Sequence, residues 1–148
     1  MDNSSVSIRP MMIDDYGSVL ALMRGEPGVS IRAADSRESI ARYLDRNPGL
    51  SFVAESGGRI IGCVFGGHDG RRGSLNHLVV DVSYRQTGIG RDLVAKSLDA
   101  LQDIGIYKTH IDVFAENVDA IIFWKRVGWV LREDLCRFSI SRSDNPNI

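Results

Sequence analysis

The chain has 148 residues, 43% of them hydrophobic and 25% charged, and a formal net charge of -1. That profile fits one globular domain able to bury about two-thirds of its unfolded surface, and its scattered arginines exclude the basic stripe that nucleic-acid binding needs. The start MDNSSVSIRP lacks a basic segment followed by an apolar one, and no window reaches the ~20 apolar residues of a membrane span, so a cytoplasmic protein without a membrane partner is expected.

Val6 to Arg9 reads as a first strand, and Asp14 to Met23 as a helix with Tyr16, Val19, Leu20 and Met23 on one face. The polar, glycine-containing stretch from Arg24 to Ala34 reads as a loop. A second helix follows from Ser36 to Arg46, with Asp35 and Glu38 as its capping pair, and Asn47-Pro48-Gly49 ends it. Phe52 to Glu55, Ile60 to Gly66 and Ser74 to Val80 read as strands of an antiparallel meander, turning at Ser56-Gly57-Gly58 and Asp69-Gly70. A third helix carries Ile89, Leu93, Val94, Leu98, Leu101 and Ile104 as a stripe and stops at Gly105. Tyr107 to Phe114 is then a strand, Val118 to Val127 a helix, and Trp129 to Arg132 with Leu135 to Ser141 a final hairpin turning at Glu133-Asp134.

The tail from Ser143 to Ile148 reads as flexible. Cys63 and Cys136, each inside an apolar strand, read as small core residues. With three histidines and no CxxC, no metal site is readable. The order βααβββαβαββ describes one α/β domain over 1–148, antiparallel first and then closed by two βα crossovers.

The most informative stretch is Leu78 to Leu93, LVVDVSYRQTGIGRDL, in which an apolar strand passes through Arg85-x-x-Gly88-x-Gly90 into a helix. Glycine removes the side chains that would keep an anion from the main chain, and a helix start supplies free NH groups and positive dipole. This is the chemistry of a pyrophosphate cradle, with Arg85 as a cation at its rim. A dinucleotide-binding turn fits poorly, because a third glycine would fall at Leu93 and no βαβ unit begins at the meander. A nucleotide P-loop fails because no Lys-Ser/Thr follows the glycines.

Downstream stand Asn117, Ala120, Phe123, Trp124 and Gly128-Trp129. With the glycine loop upstream, they resemble the GNAT superfamily of N-acetyltransferases, whose Q/R-x-x-G-x-G/A loop and Asn-x-x-Ala segment occur in this order. The stretch Gly66 to Gly90 looks like the bacterial YpeA-type branch, and Ile111-Asp112-Val113 through Asn117 is similar to RimI-type enzymes. The resemblance implies a mixed, mostly antiparallel sheet split between its fourth and fifth strands, and acetyl-CoA as co-substrate. It implies that Leu78, Val79 and Val80 lend main-chain groups to the pantetheine arm. Arg85, Gln86, Thr87, Gly88, Ile89, Gly90 and Arg91 would hold the pyrophosphate, with Asn117 and Trp124 beside the arm.

An N-cap role accounts for Asn117 equally well. Asp112 is the first candidate base for the attacking amine, although an exposed strand carboxylate would look the same, and His77 is its rival. Trp124 departs from the family's tyrosine, the acid for the leaving thiolate, since indole NH is not a proton source at neutral pH. The implied reaction is acetyl transfer to a primary amine of a small molecule or peptide by direct attack in a ternary complex, in a monomer or homodimer. A cofactor-binding module without turnover, or a transferase for another acyl-CoA, are the alternatives.

Overall fold

A computed structural model describes residues 5–148. Among them, the strands β1 (Ser7–Pro10), β2 (Phe52–Ser56), β3 (Arg59–His68), β4 (Gly73–Val80) and β5 (Thr109–Ile111) form one sheet in sequence order. The first four pair antiparallel and β4 pairs with β5 in parallel. Helices α1 (Tyr16–Arg24) and α2 (Arg37–Arg46) connect β1 to β2, α3 (Ile89–Asp103) connects β4 to β5, and α4 (Val118–Arg126) follows β5.

The sheet is covered on both faces, which is why β3 reads as a run of apolar and small residues rather than an alternation. On one face α3 buries Ile89, Leu93 and Leu101 against Ile61, Val64 and Leu75. On the other, α1 and α2 bury Val19, Met23 and Ile40 against Val53, Cys63, Phe65 and Val79. The left-handed Gly105 (φ 86°) terminates the α3 segment as the sequence predicts.

Two features of β4 position the site. Its ladder with β5 runs only from Gly73↔Thr109 to Leu75↔Ile111, so β4 continues through Val80 while the chain leaves β5, and the sheet splits between its fourth and fifth strands. Its ladder with β3 jumps from Phe65↔Asn76 to Cys63↔Val79, which sets His77 and Leu78 opposite Val64 alone. This is a β-bulge, and His77 occupies it in the left-handed region (φ 48°), where glycine is the usual resident.

The structure corrects several expectations. Ser36, not Asp35, caps α2, its hydroxyl accepting from the Ser39 NH at 3.2 Å, while Asp35 turns inward and is buried. The strand expected over Tyr107 to Phe114 is reduced to Thr109–Ile111. The final hairpin and the second βα crossover do not form, because alternation specifies a strand only where a neighbour offers an edge, and β5 offers three residues. The arm is instead held by ion pairs, Arg132 to Asp134 across the expected turn and Arg137 to Asp112. Cys136 is therefore exposed rather than in the core, whereas Cys63 is buried. In the final segment, the Ala33 NH donates to the Asn147 carbonyl at 2.7 Å, which ties the chain end to the start of α2.

Candidate active site

The split opens into a cleft of about 2730 Å³, lined by His77, Val80, Gly88, Gly90, Asn117 and Trp124 among others. At one end Gly88 is the N-cap of α3, left-handed (φ 90°), and no side chain caps the helix. The 15-residue helix thus presents its first-turn amides and its positive dipole end to whatever lies there. A Cβ on Gly88 would meet nothing within 4 Å, whereas one on Gly90 would lie 3.5 Å from the Phe123 ring and 3.7 Å from Val80, inside the cleft. Buried Ile89 anchors the turn between them. Gln86 is also left-handed (φ 62°), and the Thr87 hydroxyl bonds the Tyr84 carbonyl.

Arg85 is turned toward the end of β4. Its Nε donates to the Val80 carbonyl at 3.1 Å and its guanidinium pairs with Glu26 at 2.5 Å, bridging the loop after α1 to the end of β4. Arg91, exposed in the first turn of α3, is the other basic side chain of the motif. Asn117 caps α4, its Oδ1 accepting from the Ala120 NH at 3.1 Å, and its Nδ2 would lie 2.6 Å from a Cβ on Gly28. That glycine lets the loop after α1 approach α4 across the cleft. Trp124 is buried, its ring 4.6 Å from Trp129 and 5.2 Å from Phe123 between centroids, so it is a wall of the cleft and part of the core at once.

The family model described as acetyltransferase (GNAT) family matches residues 18–129, a span that includes the glycine-rich, uncapped helix start and the parted pair of parallel strands. The chain belongs to the GNAT family. An acetyltransferase of Pectobacterium atrosepticum is 36% identical over 118 residues, 79% of this chain and 82% of the relative. The paia N-acetyltransferase of Thermoplasma acidophilum, solved with coenzyme A, superposes with a TM-score of 0.76 at 18% identity over 86% of this chain and 91% of its own. The ribosomal-protein-S18-alanine N-acetyltransferase of Escherichia coli does so at 0.67 and 19% identity, over 83% and 76%. These two share the fold. As a GNAT enzyme the chain is an acetyltransferase whose co-substrate is acetyl-CoA.

Within this GNAT cleft the two candidate bases stand in different surroundings. Asp112 lies just past the end of β5 with 68% of its side chain exposed, and it pairs with Arg137 at 2.5 Å. His77 is half-buried at the bulge, and its Nε2 lies 2.8 Å from Asp35 Oδ1. The Phe65 ring meets it edge-on at 5.8 Å, and the Cys63 thiol donates to its carbonyl. Asp35 in turn accepts from the Arg32 NH at 2.9 Å. Burial alone would raise the Asp35 carboxyl, but the hydrogen bonds from His77 and Arg32 outweigh it and hold that carboxyl below the ordinary range.

The sequence did not single out Asp35, Glu26 or Gly28 for the site. Asp35 carried a capping signal that explained it locally, and 42 residues separate it from His77. Among the described residues no helix is long and apolar enough to cross a membrane.

Proposed function

We propose that this GNAT enzyme transfers the acetyl group to a primary amine by direct attack in a ternary complex, with His77 taking the amine proton. The observation that carries this reading is the edge of β4 that β5 leaves open, from Asn76 to Val80, which bears His77 near one end and leads to the glycine turn at the other. The pyrophosphate would rest on the Gly88–Gly90 amides with Arg91 beside it, and the pantetheine arm would follow the Leu78 to Val80 backbone. Acetyl-CoA supplies an activated thioester carbon.

An amine must be neutral to attack, so a base in the cleft has a task at neutral pH. His77 suits it because an ionised Asp35 can only accept hydrogen bonds, which places the ring hydrogen on Nε2 and leaves the Nδ1 lone pair free. The amine nitrogen then bonds to the acyl carbon as the carbon–sulfur bond breaks. Main-chain NH groups near Val80 would stabilise the oxygen's developing charge. Free thiols ionise near pH ~8.5, so the sulfur leaves without a strong acid, and Trp124 serves as a dry wall where a tyrosine would otherwise stand.

Mass spectrometry of the enzyme with acetyl-CoA and a library of amines and peptides tests the reaction, and acetylated primary amines are the expected products. His77→Gln keeps a donor within reach of Asp35 but cannot titrate, and kcat/KM should fall roughly 10²- to 10⁴-fold. Asp112→Asn should leave kcat/KM nearly unchanged. The reverse ranking of the two variants would return the base role to Asp112.

A further inference from the structure

The pairing of a left-handed histidine in a bulge with a buried carboxylate from a distant element points to a device that neither residue shows alone. We propose that Asp35 is the positioning residue of the catalytic base, fixing the tautomer and direction of the His77 ring from the start of α2. The inference rests on the role given to His77 above.

The bulge supplies the direction. Leu75 packs with the α3 face of the sheet, so strict alternation would send His77 to that same face. The extra residue in β4 breaks the alternation, and the His77 ring instead meets Phe65 and Asp35 on the side of α1 and α2. A non-glycine residue held at φ 48° costs of order 1 kcal/mol or more, which persists only where the surroundings over-determine it. Asp35 is what over-determines it here.

Asp35 is itself held at both its carboxylate and its main chain. The Arg32 NH donates to Oδ2 at 2.9 Å, the Tyr16 hydroxyl donates to the Asp35 carbonyl at 2.7 Å, and Ser36 follows as the cap of α2. With 8% of its side chain exposed, the carboxylate has little water to satisfy it apart from His77. The ionisable groups around the pair include Tyr16 from α1 with Arg37 of α2 over its ring, Tyr43 from α2 beside Phe65, Cys63 from β3, and Glu26 at the cleft, already paired with Arg85. None of them replaces Asp35 as an anion against the ring.

A carboxylate against Nε2 fixes the ring hydrogen there, so its removal frees the ring to exchange tautomers and directions. Heteronuclear NMR of the full chain should find the neutral ring protonated on Nε2, and a mixture of both tautomers in Asp35→Asn. In the same variant kcat should fall roughly 10²-fold while KM for acetyl-CoA stays. Asp35→Glu retains a carboxylate displaced by one methylene and should fall between parent and Asn in both readouts. A ring whose tautomer is unmoved in both variants would overturn the proposal, even if the variants were less stable. The tautomer reading needs no turnover. A parent inactive on every amine would therefore sink the proposed reaction, while the ring still decides the role of Asp35.

Discussion

Gly88, Trp124 and the two cysteines show how much a single position depends on what surrounds it. Gly88 is required by its left-handed backbone rather than by space, since nothing lies near its missing Cβ. Trp124 is a core residue that touches Trp129 and Phe123, so a smaller ring leaves a gap. Trp124→Tyr should cost about 1–3 kcal/mol of stability without raising turnover, as thermal melts and a thiol-release assay would show. Faster turnover in that variant would mean that a missing phenol limits the enzyme. Burial pushes the Cys63 thiol up to about 12, whereas Cys136 is exposed. A thiol reagent should therefore label one cysteine in the native chain and both after unfolding, counted by intact mass. The glycine motif was legible at this scale because its chemistry is local. The Asp35–His77 pair was not, since one partner read as a cap and the other as a lone histidine beside an apolar strand.

Elements were legible wherever a repeat in the sequence met a matching surface. The stripe of α3 reads at helical period because it faces one side of the sheet, and the apolar character of β2 to β4 follows from burial. The bulge in β4 leaves no trace in the sequence, because a histidine fills the position where a glycine would have announced it. The arm after α4 was misread for the opposite reason, its alternation being clear but its template too short. At the head of α4, Asn117 joins cap and cleft. Asn117→Ala should lose about 1 kcal/mol, a fall in Tm of about 3 °C, while Asn117→Ser keeps a capping oxygen and most of the stability. If the amide also touches the pantetheine arm, both variants should bind acetyl-CoA more weakly. A Ser variant with parental affinity would confine Asn117 to the cap.

For the whole molecule, the α1 and α2 side of the sheet is joined to the site by charge as well as by packing. Arg9 hydrogen bonds hold the Asp15 carboxyl below its ordinary range, against a smaller opposing effect of burial, and Asp35 is depressed as described. Carboxyls with lowered folded values stabilise the protein above the unfolded value near pH ~4 and lose that contribution as pH falls through the folded values. Melting temperature should accordingly change little through these two groups from neutral pH to about 5 and drop below about 4. The drop should be shallower in Asp15→Asn than in the parent, and equal slopes would remove Asp15 as a source of the acid sensitivity.

The central claim is that acetyl-CoA lies across the glycine turn and along the open end of β4. Calorimetric titration of acetyl-CoA into the parent and into a Gly88→Val, Gly90→Val variant tests it most directly, with a thermal melt to confirm that the variant is folded. The account predicts saturable binding to the parent and none to the folded variant, because side chains at these positions strain the turn and fill the cleft beside Val80 and Phe123. Equal affinity in a folded variant would contradict it.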